Sequence, residues 1–154
     1  MSNIGDSRAY VVNEHDISLI TKDESAAYLF RKQGEELDKA DLDDLRFVRD
    51  GSVILRCMGM EVVGPPQFYR VSNHSYDKLL LFSDGVTDAL ETDRIRVIAQ
   101  NSPVSEIANL LVQEAVDKDA VRQQGEDSLH YGKIVAGHDN ATAAVYDNQK
   151  YRRK

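Results

Sequence analysis

The stretch Lys78-Leu79-Leu80-Leu81-Phe82-Ser83-Asp84-Gly85-Val86-Thr87-Asp88-Ala89-Leu90 constrains this chain more than any other, because an apolar run ends abruptly in two carboxylates and a glycine. Four large apolar residues are too few to cross a membrane, and their lack of alternation predicts a strand buried on both faces. Asp84 and Asp88 then stand at the mouth of a core strand, with no Lys or Arg between Leu79 and Ala89. A carboxylate held near low dielectric without a partner takes up a proton or binds a cation. Gly85 allows a sharp turn, and Val86 to Leu90 can begin a helix whose first turn tolerates acids. The plainer alternative is a strand-to-helix turn with Asp84 as its cap.

Around that stretch the chain reads as one soluble domain. With 154 residues, 42% hydrophobic and 29% charged, it has enough apolar material for a core. A formal net charge of -7 repels phosphate backbones and anionic lipid, which excludes nucleic acid and membrane as expected partners. Cys57 is the single cysteine, so no intrachain disulfide forms, and it is expected to pack within a strand. Met1 to Asp6 is polar and turn-forming where a secretory leader would be basic and then apolar, so the expected location is cytoplasmic.

Strand composition on either side of Asn13-Glu14-His15-Asp16 predicts a β-hairpin from about Arg8 to Ile20. Ala26, Leu29, Phe30 and Gln33 lie at helical spacing within Asp23 to Gly34, and the acid-rich segment from Glu35 to Phe47 reads as a short helix or ordered surface. Ser52 to Met58 is a strand candidate, and Gly64-Pro65-Pro66 breaks the chain before Phe68 to Val71. Asp93 to Asn101 is helix-like. Ser102-Pro103 opens an amphipathic helix with Val104, Ile107, Ala108, Leu110, Leu111, Glu114 and Ala115 on one stripe. Asp117 to Gly137 is polar and is expected to be irregular, before a last strand from Ala141 to Tyr146. The organisation expected is one unit over 1–147, with a polar insertion at 117–137, and a basic tail over 148–154 that frays.

Three times an Asp stands at a strand end beside a turn residue, in Gly5-Asp6-Ser7, Ser83-Asp84-Gly85 and His138-Asp139-Asn140. If those strands share a sheet, Asp6, Asp84, Asp88 and Asp139 meet at one edge. Such a cluster implies a divalent ion, and all-oxygen ligation selects Mn²⁺ or Mg²⁺ over zinc. The histidines read as solvated, His138 included, and Ser7 and Ser83 have no paired base for nucleophilic catalysis.

Asn3 to Tyr10, Thr21 to Ser25, Leu79 to Asp88 and Asp139 to Val145 resemble, in order, successive motifs of the metal-dependent protein phosphatases of the 2C type. Ser52 to Gly59 resembles a further stretch of that family. The resemblance implies an α+β fold: the C-terminal part of an α-β-β-α sandwich of antiparallel sheets flanked by helices. It implies hydrolysis of phosphoserine and phosphothreonine in a phosphoprotein substrate by a metal-bridged water, with Mn²⁺ or Mg²⁺ as cofactor. Carried onto this chain, the family's ligands give Asp84 and Asp139 to a dinuclear centre, and Asp6, Asp84 and Asp88 to a third site. Asn140 would orient Asp139 from outside the coordination sphere. The family's acid His and phosphate-binding Arg belong to a preceding half with no counterpart here, and no Asp-Gly-His-Gly-Gly run occurs. A half-sandwich leaves an apolar face open, so self-association or a chain supplying the missing half is expected. The alternative function is a catalytically inactive relic serving as an interaction or oligomerisation module.

Overall fold

A computed structural model describes residues 1–25, 54–60, 64–124 and 140–148, with side chains described to residue 118 in the long helix. Its elements are β1 (Ser2–Asn3), β2 (Arg8–Val12), β3 (Ile17–Leu19), β4 (Gln67–Phe68), β5 (Lys78–Phe82), α1 (Asp84–Thr87), α2 (Thr92–Asn101), α3 (Val104–Gln124) and β6 (Ala143–Asp147). Four strands form an antiparallel sheet in the order β3-β2-β5-β6, and β1 pairs with β4 in a separate two-stranded ribbon. This is the α+β architecture expected.

The predicted hairpin is β2 and β3, with Tyr10 opposite Leu19 and Val12 opposite Ile17. Its turn is made by Asn13, whose Oδ1 accepts the N–H groups of His15 and Asp16 at 2.8 Å each. A short side-chain acceptor of this kind stands in for a backbone carbonyl and fixes the reversal.

β5 lies between β2 and β6, so every one of its residues has a partner on each side, from Lys78 opposite Val12 and Asp147 to Phe82 opposite Arg8 and Ala143. Burial along it alternates. Leu80 and Phe82 are 0% and 3% exposed and join Tyr10, Val12, Ile95, Ile98, Ala99, Ile107, Leu111 and Ala115 in the core, whereas Leu81 is 43% exposed. The expectation of burial on both faces is therefore corrected. Helices α2 and α3 cover one face only, and the period of two was hidden because the residues on the other face are apolar too. That second face carries Ala9, Val11, Leu79, Leu81, Ala144 and Tyr146 by register.

The two long helices follow their patterns closely. Ile107, Leu111 and Ala115 of α3 are buried at successive turns, while Leu110, counted on the same stripe, is 42% exposed, because it falls on the flank of a line centred one turn apart. Arg94 of α2 grips Glu114 of α3 through two contacts of 2.7 Å, and Lys78 donates to the Ala99 carbonyl at 2.8 Å, among the unpaired carbonyls ending α2. Helix α3 runs through Asp117 to Gln124, where an irregular segment was expected, since no Gly or Pro interrupts it before Gly125 and Gln113 hydrogen-bonds Asp117 one turn on.

Other readings shift in detail. Asp23 to Ser25, read as the start of a helix, is not helical, with Ser25 bridged to Ile54, and the rest of the proposed helix and the acid-rich segment lie outside the described residues. Of the Ser52–Met58 strand candidate, residues 52 and 53 lie outside the described residues and the rest contributes only that bridge at Ile54, and Cys57 is exposed, not packed in a strand. Asn148, assigned to the tail, is 2% exposed and donates to the Asn73 and Tyr76 carbonyls. Among the described residues no helix is long and apolar enough to cross a membrane.

One-sided burial of β5 has a direct consequence for stability. Leu80→Ala is expected to destabilise the chain by about 2–5 kcal/mol and Leu81→Ala by less than about 1 kcal/mol in urea titrations; equal losses would contradict a sheet covered on one face.

Candidate metal centre

The last paired residues of the sheet at one end are Arg8 opposite Phe82 and Phe82 opposite Ala143. Asp6 precedes Arg8 by two positions, Asp84 follows Phe82 by two, and Asn140 precedes Ala143 by three, so all three leave the sheet at that end. Antiparallel pairing thus carries acids that are remote in sequence to one edge. Asp6, Asp84 and Asp88 are partly buried there, and Asn140 is exposed.

The turn carrying Asp84 is fastened to the approach to β6 by Ser83. Its backbone N–H donates to the Thr142 carbonyl at 3.1 Å, its Oγ donates to the Asn140 carbonyl at 3.0 Å, and the same Oγ accepts the Thr142 N–H at 2.9 Å. Gly85 completes the contact by having no side chain: a Cβ there would lie 2.8 Å from the Asn140 carbonyl oxygen and 3.2 Å from the Ala141 Cα. The glycine serves close approach of two backbones, not the sharp turn expected of it, and its φ is not positive. Ser83 occupies the N-cap position of α1 without a side-chain cap, so Asp84 is the first helical residue rather than the cap. Asp84 Oδ1 accepts the Gly85 N–H at 2.9 Å, and its carbonyl accepts the Asp88 N–H at 2.7 Å, which sets the two acids one helical turn apart.

Asp6 follows Gly5, whose φ of +98° lies in the left-handed region that favours glycine. Glu24 holds this turn. Its Oε2 accepts the Gly5 N–H at 3.0 Å and lies 3.0 Å from Arg56 Nε, and its Oε1 accepts from Gln67 at 2.9 Å. Burial pushes the Glu24 carboxyl upward, but the donors from Gln67, Gly5 and Arg56 outweigh it and hold the group below the ordinary value of 4.5.

Sequence reasoning missed the strongest polar contact beside the site. Arg8 grips Asp23 with Nε 3.1 Å from both carboxylate oxygens and a terminal nitrogen at 2.8 Å, the two side chains being 6% and 9% exposed, and Arg8 also donates to the Tyr10 hydroxyl at 3.3 Å. Burial opposes the Arg8 charge, yet the Tyr10 oxygen and the Asp23 carboxylate hold its pKa above the ordinary value. An Arg at the start of an otherwise apolar strand signals a buried acid partner, but its position fifteen residues beyond β2's start is visible only when the chain returns from β3 alongside β2. Breaking such a pair by removing one member leaves a buried charge unanswered, typically at about 3–5 kcal/mol.

In donor type this end of the sheet fits a hard divalent cation, since Asp6, Asp84 and Asp88 offer only oxygen. Among the described residues, however, no three His, Cys, Asp or Glu side chains are grouped closely enough to hold a metal ion. Asp139 and His138 lie outside the described residues.

No protein-family model matches the sequence. Its fold is α+β and protein phosphatase 2C-like, corresponding to the C-terminal portion of that catalytic domain. Among solved structures, serine/threonine phosphatase Stp1 from Staphylococcus aureus superposes with a TM-score of 0.73 at 26% identity, covering 95% of this chain and 50% of that one. The catalytic domain of the phosphatase PstP, solved in complex with two manganese ions, shares the fold with a TM-score of 0.63 at 23% identity, over 95% of this chain and 51% of that one. Among sequences, the serine/threonine phosphatase stp of Listeria monocytogenes serotype 4b is 28% identical over 116 residues, which are 75% of this chain and 44% of the relative. The chain therefore spans about half the length of the proteins it resembles.

The Ser83 and Gly85 contacts generate a prediction about the turn. Gly85→Ala forces a methyl against fixed backbone and is expected to destabilise the chain by about 1–3 kcal/mol in chemical denaturation; an unchanged midpoint would mean that residues 140–141 do not press on α1.

Proposed function

We propose that this chain is the cation-holding C-terminal portion of a metal-dependent protein serine/threonine phosphatase, acting on phosphoserine and phosphothreonine of phosphoproteins. One observation carries the reading: Ser83 and Gly85 press the Asp84 turn onto Asn140, so the last two family-like motifs lie side by side at one sheet end. The names of the bacterial relatives support the substrate class.

In this reading Asp84 and Asp139 would ligate a dinuclear Mn²⁺ or Mg²⁺ centre, whereas Asp6, Asp84 and Asp88, which the resemblance gives to a third site, are not grouped closely enough to hold an ion by themselves. Such ions would supply metal-assisted hydrolysis, activating a water and offsetting charge on the phosphoryl group. Asn140 orients Asp139 from outside the coordination sphere. Asp84 is held by the Gly85 N–H on Oδ1 and by its place as the first residue of α1. The remaining ligands, the acid His and the phosphate-binding Arg fall, by the family resemblance, in the portion preceding the Gly5-Asp6-Ser7 turn. A cytoplasmic location accompanies this reading, with one unit that includes Asn148 followed by a short basic tail.

A second reading, an interaction or oligomerisation module without catalysis, is favoured by the open apolar face of the sheet, where Leu81 and Tyr146 are each 43% exposed. In either reading that face is a docking surface for another sheet, from a second copy or from whichever chain carries the complementary portion.

Hydrolysis of 4-nitrophenyl phosphate in the presence of Mn²⁺ separates the two. Metal-dependent turnover that Asp139→Asn abolishes is the expected result for the enzyme, and absence of turnover in the parent chain favours the module. Sedimentation equilibrium addresses the face: a mass above that of the 17.3 kDa monomer, reduced toward it by Leu81→Lys, is expected if copies pair through the sheet, and a stable monomer argues against self-association.

A further inference from the structure

Cys57-Met58-Gly59-Met60 gathers the single cysteine and two of the three methionines of the chain into four consecutive positions. The base of this segment is anchored. Leu55 N–H donates to the Glu24 carbonyl at 2.7 Å, and Arg56 lies 3.0 Å from the Glu24 carboxylate through Nε and 3.1 Å from the Pro65 carbonyl through a terminal nitrogen. The tip stands clear. Met60 N–H donates to the Cys57 carbonyl at 3.3 Å, closing a four-residue turn whose third position is Gly59 at φ +92°, the left-handed backbone that a type II turn requires there. Beyond the chain neighbours of Gly59, no described residue has an atom within 4 Å of the point where a Cβ would lie. Met58, second in the turn, is 86% exposed, the most of any large apolar residue among those described, against 44% for Met1 and 45% for Met60.

We propose that Met58 is a site of reversible oxidation by hydrogen peroxide, made selective by the turn that holds its thioether in water. In the forward step a sulfur lone pair attacks one peroxide oxygen, and an S–O bond forms as the O–O bond breaks. Sulfur is oxidised by two electrons to the sulfoxide, and the displaced hydroxide takes the proton of the transferred oxygen and leaves as water. In the reverse step a methionine sulfoxide reductase releases the oxygen as water while two thiols are oxidised to a disulfide. A side chain this exposed has little packing to lose, so its sulfoxide marks the surface without loosening the core, where oxidation of a buried methionine would disrupt it. A flexible apolar group thus becomes a polar hydrogen-bond acceptor at the tip of an anchored turn.

The exposed Cys57 thiol competes for the same oxidant, so Cys57→Ser is the background in which Met58 is read. The test is peptide mapping by mass spectrometry of the full Cys57→Ser chain after timed exposure to hydrogen peroxide, once folded and once in concentrated urea. In the folded chain Met58 is expected to gain oxygen about twice as fast as Met1 and Met60, following exposure, and in urea the three rates are expected to converge. Equal rates in the folded chain, or the same preference for Met58 in urea, overturn the assignment, because the selectivity then does not come from the fold. Methionine sulfoxide reductases, one for each epimer, are expected to restore the parent mass of the folded, oxidised chain; a sulfoxide that persists at position 58 overturns reversibility. Adding Met60→Leu isolates the modification. The melting midpoint of that variant is expected to be the same before and after oxidation, and a drop that Met58→Leu abolishes overturns the surface mark in favour of a structural lesion.

Discussion

Pairing of β5 on both of its edges is the constraint from which the rest of this structure follows. Each residue from Lys78 to Phe82 faces a partner in β2 and another in β6, so the register of three strands is locked together. A slip of one residue would turn Leu80 and Phe82 out of the core and bring Leu81 in. The Tyr10 and Phe82 rings, 5.8 Å apart, sit on the covered face and reinforce that register with a contact only the native alignment provides. Once the register is set, Asp6, Asp84 and Asn140 emerge at one end without further instruction.

Polar contacts then do at the sheet end what apolar packing does along its face. The end is irregular backbone, and its groups need partners that strand ladders do not supply. Ser83 provides them between the α1 turn and the approach to β6, while Glu24 provides them around Gly5. The Arg8 and Asp23 pair anchors the extended segment beside β2, close to Thr21, whose hydroxyl oxygen accepts the Ala9 N–H at 3.0 Å. An end stiffened in this manner holds the backbone that carries Asp6 and Asp84 in one arrangement.

The asymmetry between the two faces of the sheet carries the biological question. Helices cover one face with residues that are nearly all withdrawn from water; the other face presents leucine, alanine and tyrosine side chains in part to solvent. Solved phosphatases of this fold are about twice as long as the portion matched here. Apolar residues retained on the open face are what a second layer would require, and they account for a leucine run whose alternation could not be read from composition.

Periodicity and turn chemistry in the amino-acid order were sufficient to determine the hairpin at Asn13 and helices α2 and α3, because each depends on residues within a few positions of one another. The order of the motifs was likewise enough to indicate the fold. Tertiary structure decided which face of β5 is covered, that Gly85 exists for contact with residue 140, that Asp23 answers Arg8, and that Glu24 clamps Gly5. Those outcomes rest on segments separated by 15 to 57 positions meeting at distances of about 3 Å, and local pattern carries no information about which remote backbone will arrive there.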